Sequence, residues 1–162
     1  MDFALKRLTA PLISRFRTSE QGAILVEALI AIPIITIFAV GLLEFGVMFW
    51  ERQQMQAGVR DAARYWSRCS QTAAAAGSCS LTKARNIAFY SNPAGTGGLR
   101  VPNWYRPEDL AISPTTPPAN TAPTDIVYAE GRLLYSGSPL FGLLDIGAVT
   151  VRYNYSMRYL GW

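Results

Sequence analysis

The sequence predicts an α+β chain: a long N-terminal transmembrane helix that continues into an amphipathic stalk, followed by a small antiparallel β-sheet domain. Three observations carry this prediction. Residues 23–50 are apolar at membrane length. The residues after them take up a helix-period apolar stripe with no break signal between the two. The last residues alternate apolar and polar with a strict period of two. The chain divides accordingly into a cytoplasmic leader at 1–22, a transmembrane helix at 23–50, a stalk at 51–68 and a small periplasmic α+β domain at 69–162, with a proline-rich loop at 103–125.

Composition narrows the function. With the first third of 162 residues committed to leader and membrane helix, only one small domain remains. Fifteen Lys and Arg against eleven Asp and Glu give a net charge of +4, and Lys6, Arg7, Arg15 and Arg17 of these lie in the leader. The basic balance is therefore mainly a topology signal and not a nucleic-acid footprint. Histidine is absent, which removes Ser-His and Cys-His nucleophilic catalysis and the commonest zinc sites. The late carboxylates, Glu108, Asp109, Asp125, Glu130 and Asp145, show no paired spacing and read as solvated surface. No catalytic residue, metal site, cofactor or small-molecule substrate is expected.

The leader keeps its basic residues on the cytoplasmic side, whereas Glu51 and Arg52 beyond the apolar run cancel, so the N-terminus is expected inside. From Ala28 to Leu43 there is no charge, about 24 Å of helix, and the wider run from Ala23 to Trp50 is about 42 Å. A hydrocarbon core about 30 Å thick places Glu27 and Glu44 near its two boundaries, and puts Phe45, Phe49 and Trp50 at an outer aromatic belt. A cleaved secretory signal fits the basic start and the Ala39-Val40-Gly41 triplet, but the apolar run continues past that triplet. A plain signal anchor fits length and flanks.

A third reading uses Glu27, because a carboxylate at the edge of a membrane helix is by default a functional candidate that needs a partner. Cleavage after Gly22 gives Ala23 a free ammonium about one helical turn from Glu27. That ammonium can pair with the Glu27 of a neighbouring subunit when apolar helices bundle. Pro33 removes a backbone donor and clashes with the Leu29 carbonyl, which kinks a helix or is simply tolerated in one.

The Arg-containing leader, Gly22, Ala23-Ile24-Leu25-Val26-Glu27, Pro33, Gly41-Leu42-Leu43-Glu44-Phe45-Gly46 and Asp61-Ala62-Ala63-Arg64 together resemble the TadE family of minor pilins. These are pilin-like, or pseudopilin, components of tight-adherence (Flp-type, type IVb) pili. The resemblance runs from Gly22 to Arg64. It departs from the family at Ala28, where an aromatic residue usually follows the glutamate. It implies a pilin-like fold, cleavage between Gly22 and Ala23 by a membrane aspartyl prepilin peptidase, and Glu27 as the processing and assembly determinant. The partners implied are the inner membrane, the prepilin peptidase, other pilin-like subunits and pilus assembly proteins.

In the stalk, Val59, Ala62, Ala63 and Trp66 keep the spacing of a helix face, and the helix is expected to end near Arg68. Asp61 and Arg64 stand at i, i+3 and are expected to pair. Cys69 and Cys79 are an isolated close pair beyond the membrane, hence an expected disulfide around a flexible SQTAAAAGS loop turned at Gly77.

Leu81–Tyr90 is expected as a short helix capped by Ser80, with Ile87, Ala88 and Phe89 as its apolar contribution. Pro93–Gly98 is a turn: no Lys-Ser or Lys-Thr follows it and no strand precedes it, so it is not a phosphate loop. Five prolines between Asn103 and Asp125 predict an extended surface loop. Ile126–Tyr128 and Leu133–Tyr135 predict two short strands with a bulge or bend at Gly131. Val149, Val151, Tyr153, Tyr155, Met157 and Tyr159 predict the inner face of a last strand, partner to the stalk stripe. The apolar loop 139–144 either folds under the sheet or forms an exposed patch.

The expectation that results is a structural, non-enzymatic minor pilin or pseudopilin. An uncleaved, membrane-anchored periplasmic binding module is the alternative.

Overall fold

The computed structural model describes residues 20–119, 122, 124–137 and 147–161. Most of the expected leader and the apolar loop 139–144 lie outside the described residues. The first element is a single helix, α1 (Glu20–Ser67), which continues through Pro33. The chain divides into two compact units, Met1–Leu43 and Glu44–Trp162.

The described part of the first unit is the apolar portion of α1. Its large side chains from Ile24 to Leu43 are exposed, apart from a half-buried Val40. Three residues after Pro33, the Thr36 hydroxyl donates to the Ile32 carbonyl at 2.7 Å, the back-bond by which a hydroxyl is satisfied within an apolar helix.

In the second unit the remainder of α1 packs on a three-stranded antiparallel sheet, β1 (Leu110–Ser113), β2 (Ile126–Tyr135) and β3 (Val149–Arg158), in the order β1-β2-β3. The expected stripe of Val59, Ala62, Ala63 and Trp66 is buried, and Met55 extends it by one turn. Against it lie Val127, Ala129, Gly131, Leu133 and Tyr135, alternate residues of the central strand. On β3, Val151, Tyr153, Tyr155 and Met157 are half-buried against the same core, keeping the expected alternation.

Four expectations are corrected. Gly131 does not separate two strands: β2 is continuous and pairs through Gly131 with both Leu110 and Tyr153. Its missing side chain serves the helix, since a Cβ there would stand 2.6 Å from Val59 Cγ2. The stretch 103–125 is not loop throughout, because Pro107–Asp109 forms a 3-10 turn and β1 follows with Leu110 and Ile112 buried. Pro107 and Pro114 stand outside this short edge strand, where a missing N–H costs no ladder bond. Between the cysteines, α2 (Gln71–Ala75) replaces the flexible loop, capped by Ser70 Oγ accepting from Ala73 N; a serine cap before an alanine run is a strong local helix signal. Asp61 pairs with Arg100 at 3.0 Å in place of Arg64.

The helix α3 (Leu81–Tyr90) has the expected bounds and cap, Ser80 Oγ accepting from Lys83 N at 3.2 Å. It buries Ala84, Ala88 and Phe89, so Ala84 takes the place expected of Ile87. Phe89 meets Trp104 edge to face, with centroids 4.9 Å apart. The helices approach at Gly58, where a Cβ would lie 2.6 Å from the Ala88 carbonyl oxygen and 2.9 Å from the Trp104 ring. Trp66 Nε1 donates to the Pro114 carbonyl at 2.7 Å and Gln71 Nε2 to that of Pro117 at 3.1 Å, holding the proline-rich stretch to the helices.

Candidate functional site

The sequence-predicted site residues fall into two groups along the helix. Gly22 and Ala23 lie in the first turn of α1, and Glu27 is one turn further on, exposed among exposed apolar side chains. Pro33 follows on the same helix. Within a bilayer, a carboxylate on such an outward-facing apolar surface is costly unless a cationic or hydrogen-bonding partner is brought to it. Cys69 and Cys79 form the second group and are disulfide-bonded, with Cα atoms 5.9 Å apart.

Glu44, the carboxylate at the other end of the uncharged run, behaves differently. It belongs to the second unit, is only 6% exposed, and accepts a hydrogen bond from the Tyr135 hydroxyl at 2.6 Å. Burial and then the hydrogen bond to Glu44 push the Tyr135 phenol up to about 12, so it stays protonated and donating through the physiological range. Sequence reasoning did not find Tyr135, because ninety-one residues separate it from its partner. The one available hint was a lone carboxylate at the hydrocarbon boundary, which had to be satisfied by something.

Tyr159 ties the other end of the sheet down. Its hydroxyl donates to the Cys69 carbonyl at 2.6 Å, and burial, with the nearby Asp125 charge, raises its pKa. Backbone N–H groups of Leu160 and Gly161 donate to the Ser67 carbonyl at 2.8 and 3.1 Å, closing the C-terminus of α1. Three further carboxylates of this unit serve local structure. Asp109 accepts from the Arg106 N–H, Asp125 from that of Ala122, and Glu130 binds Arg132 at 2.8 Å.

Residues 22–64 match a family model, that of TadE-like proteins. This stretch of α1 is similar to that family. No curated protein and no solved structure matches the chain. The TadE-like segment takes in Gly22, Ala23, Glu27, Pro33 and Glu44, and also the core-forming residues from Met55 to Ala63. It therefore covers both the part of α1 that packs on the sheet and the part whose apolar surface is exposed. The family is that of pilin-like proteins associated with the tight-adherence pilus, and α1 is long and apolar enough to cross a membrane.

Proposed function

We propose that this protein is a structural, non-enzymatic minor pilin or pseudopilin that takes part in assembling a tight-adherence pilus. It sits in the inner membrane with the N-terminus cytoplasmic and the second unit periplasmic, is processed between Gly22 and Ala23 by a prepilin peptidase, and packs with other pilin-like subunits and assembly proteins. The observation that carries this reading is the exposed apolar face of α1 from Ile24 to Leu43 within a TadE-like match. Twenty residues at 1.5 Å each give about 30 Å, the thickness of a hydrocarbon core. Glu27, exposed one turn after Ala23, then pairs with the new ammonium of a neighbour and sets the register of the bundle.

Intact mass and N-terminal sequencing of protein taken from its native membrane test the processing step. Ala23 at the N-terminus is the expected result; Met1 supports the uncleaved binding module instead. Gly22→Trp should leave the precursor uncut, and an unchanged mature mass in that variant tells against the cleavage site. Glu27→Ala should insert normally yet enter pili several-fold less efficiently. Normal pili in that background remove the pairing role.

A further inference from the structure

The Glu44–Tyr135 contact fixes a level in the second unit, and other side chains can be placed by their distance from it along α1 and β2. Near that level several apolar side chains are exposed among the described residues. Phe45 of α1 is 63% exposed, and at the paired end of β2 and β3 Leu134 is 62% and Val149 40% exposed; Trp50, 52% exposed, stands about 9 Å further along the helix. Higher up, a basic tier begins. Arg132 is three residues before Tyr135, about 10 Å along a strand, while on α1 the charges of Glu51 and Arg52 cancel at a similar height. Arg132 is directly opposite Arg152 in the register, and like charges facing each other on an exposed pair of strands are unfavourable without a counter-charge. Glu130 supplies one carboxylate to Arg132, leaving two facing arginines to one acid.

An apolar end below a cationic tier is the profile of a surface seated at a lipid interface, with aromatic and aliphatic side chains at the acyl boundary and arginines at the phosphates. Continuity supports the same occupant, since Glu44 directly follows the last residue of the bilayer-length apolar run. We propose that this end of the second unit, through Phe45, Trp50, Leu134 and Val149, rests in the headgroup region of an anionic bilayer, with Arg132 and Arg152 meeting lipid phosphates. The membrane is thus a second binding surface for the sheet and not only a solvent for the helix. This rests on the membrane-anchored reading above.

The test uses the full chain in vesicles of phosphatidylethanolamine and phosphatidylglycerol. An environment-sensitive fluorophore is attached singly at Leu134→Cys, Ile34→Cys or Ser156→Cys, the native cysteines being disulfide-bonded. Nitroxide-bearing lipid should quench residue 34 strongly and residue 134 several-fold more than residue 156, which lies toward the opposite end of the same sheet. Arg132→Ser with Arg152→Ser, or high salt, should reduce quenching at 134 toward the value at 156. Quenching at 34 with residue 134 matching 156 overturns the proposal alone. An unquenched residue 34 overturns the anchoring reading and the proposal with it. A blue shift at 134 that is insensitive to lipid nitroxide and vanishes on dilution with lipid assigns this end to a neighbouring protein subunit, and also overturns the proposal.

Discussion

At single residues, the second unit is held by close approaches that no other side chain permits. Gly131 carries the strand past Val59, and a Cβ 2.6 Å from a methyl of that buried, β-branched side chain forces the helix or strand to shift. Gly131→Ala should therefore cost about 1–3 kcal/mol, read as a lower urea midpoint of Trp fluorescence in the detergent-solubilised chain. Gly58→Ala should fall at the upper end of that range, because the nearest atoms there are a backbone oxygen and a buried indole, which cannot swing away. Tyr135 gives a pH signature. Burial and the Glu44 hydrogen bond raise its pKa from 10.0 to about 12 in the folded state, so its contribution is complete below the ordinary tyrosine range and is lost as pH rises through the folded value. Tyr135→Phe should be less stable than the parent at neutral pH and should lose less further stability than the parent between about pH 10 and 12. Equal alkaline slopes in the two proteins would mean that the phenol is not coupled to folding.

At the level of elements, the disulfide closes a short segment that the structure fills with α2. Cys69→Ser with Cys79→Ser should cost about 2–3 kcal/mol by the chain-entropy argument, and a mass comparison with and without reductant and alkylation reports the native pairing directly. Helices were legible in the sequence because their information is local. The stripe Val59-Ala62-Ala63-Trp66 is buried as its spacing implies, and Ser80 caps α3 where it should. The last strand was legible for the same reason, its alternation surviving as half-buried Val151, Tyr153, Tyr155 and Met157. What stayed hidden depends on distant partners. Nothing near Gly131 shows that a helix passes over it, so a glycine in a strand reads as a bulge. Asp61 has a local candidate in Arg64, yet it pairs with Arg100, thirty-nine residues away. Composition misled once, when proline density masked β1, a strand short enough to fit between Pro107 and Pro114. In the candidate site, Gly22, Ala23 and Glu27 are proposed from the family resemblance and the place of Glu27 in the apolar run, whereas the Tyr135 partner of Glu44 is visible only in the fold.

Over the whole molecule, α1 divides its work at Leu43. Among the described residues, every buried core side chain comes from the second unit, beginning with Glu44 and Met55, while most large apolar side chains from Ile24 to Leu43 are exposed. A fragment of residues 44–162 keeps all of these buried side chains and should therefore fold. Such a fragment should show cooperative urea unfolding with a buried-indole emission from Trp66 and Trp104, and should retain the Cys69–Cys79 bridge. A second fragment, starting at Arg52, keeps Met55 and the whole stripe but lacks Glu44. It should remain folded yet be destabilised by about 1.5–3 kcal/mol, the worth of a hydrogen bond to a charged group, because the Tyr135–Glu44 hydrogen bond is removed. The comparison separates two roles for Glu44. If the shorter fragment matches the longer one in stability, the carboxylate is only a boundary marker for the apolar run. If it is weaker by the stated amount, Glu44 is the residue through which the sheet grips the helix where the apolar run ends.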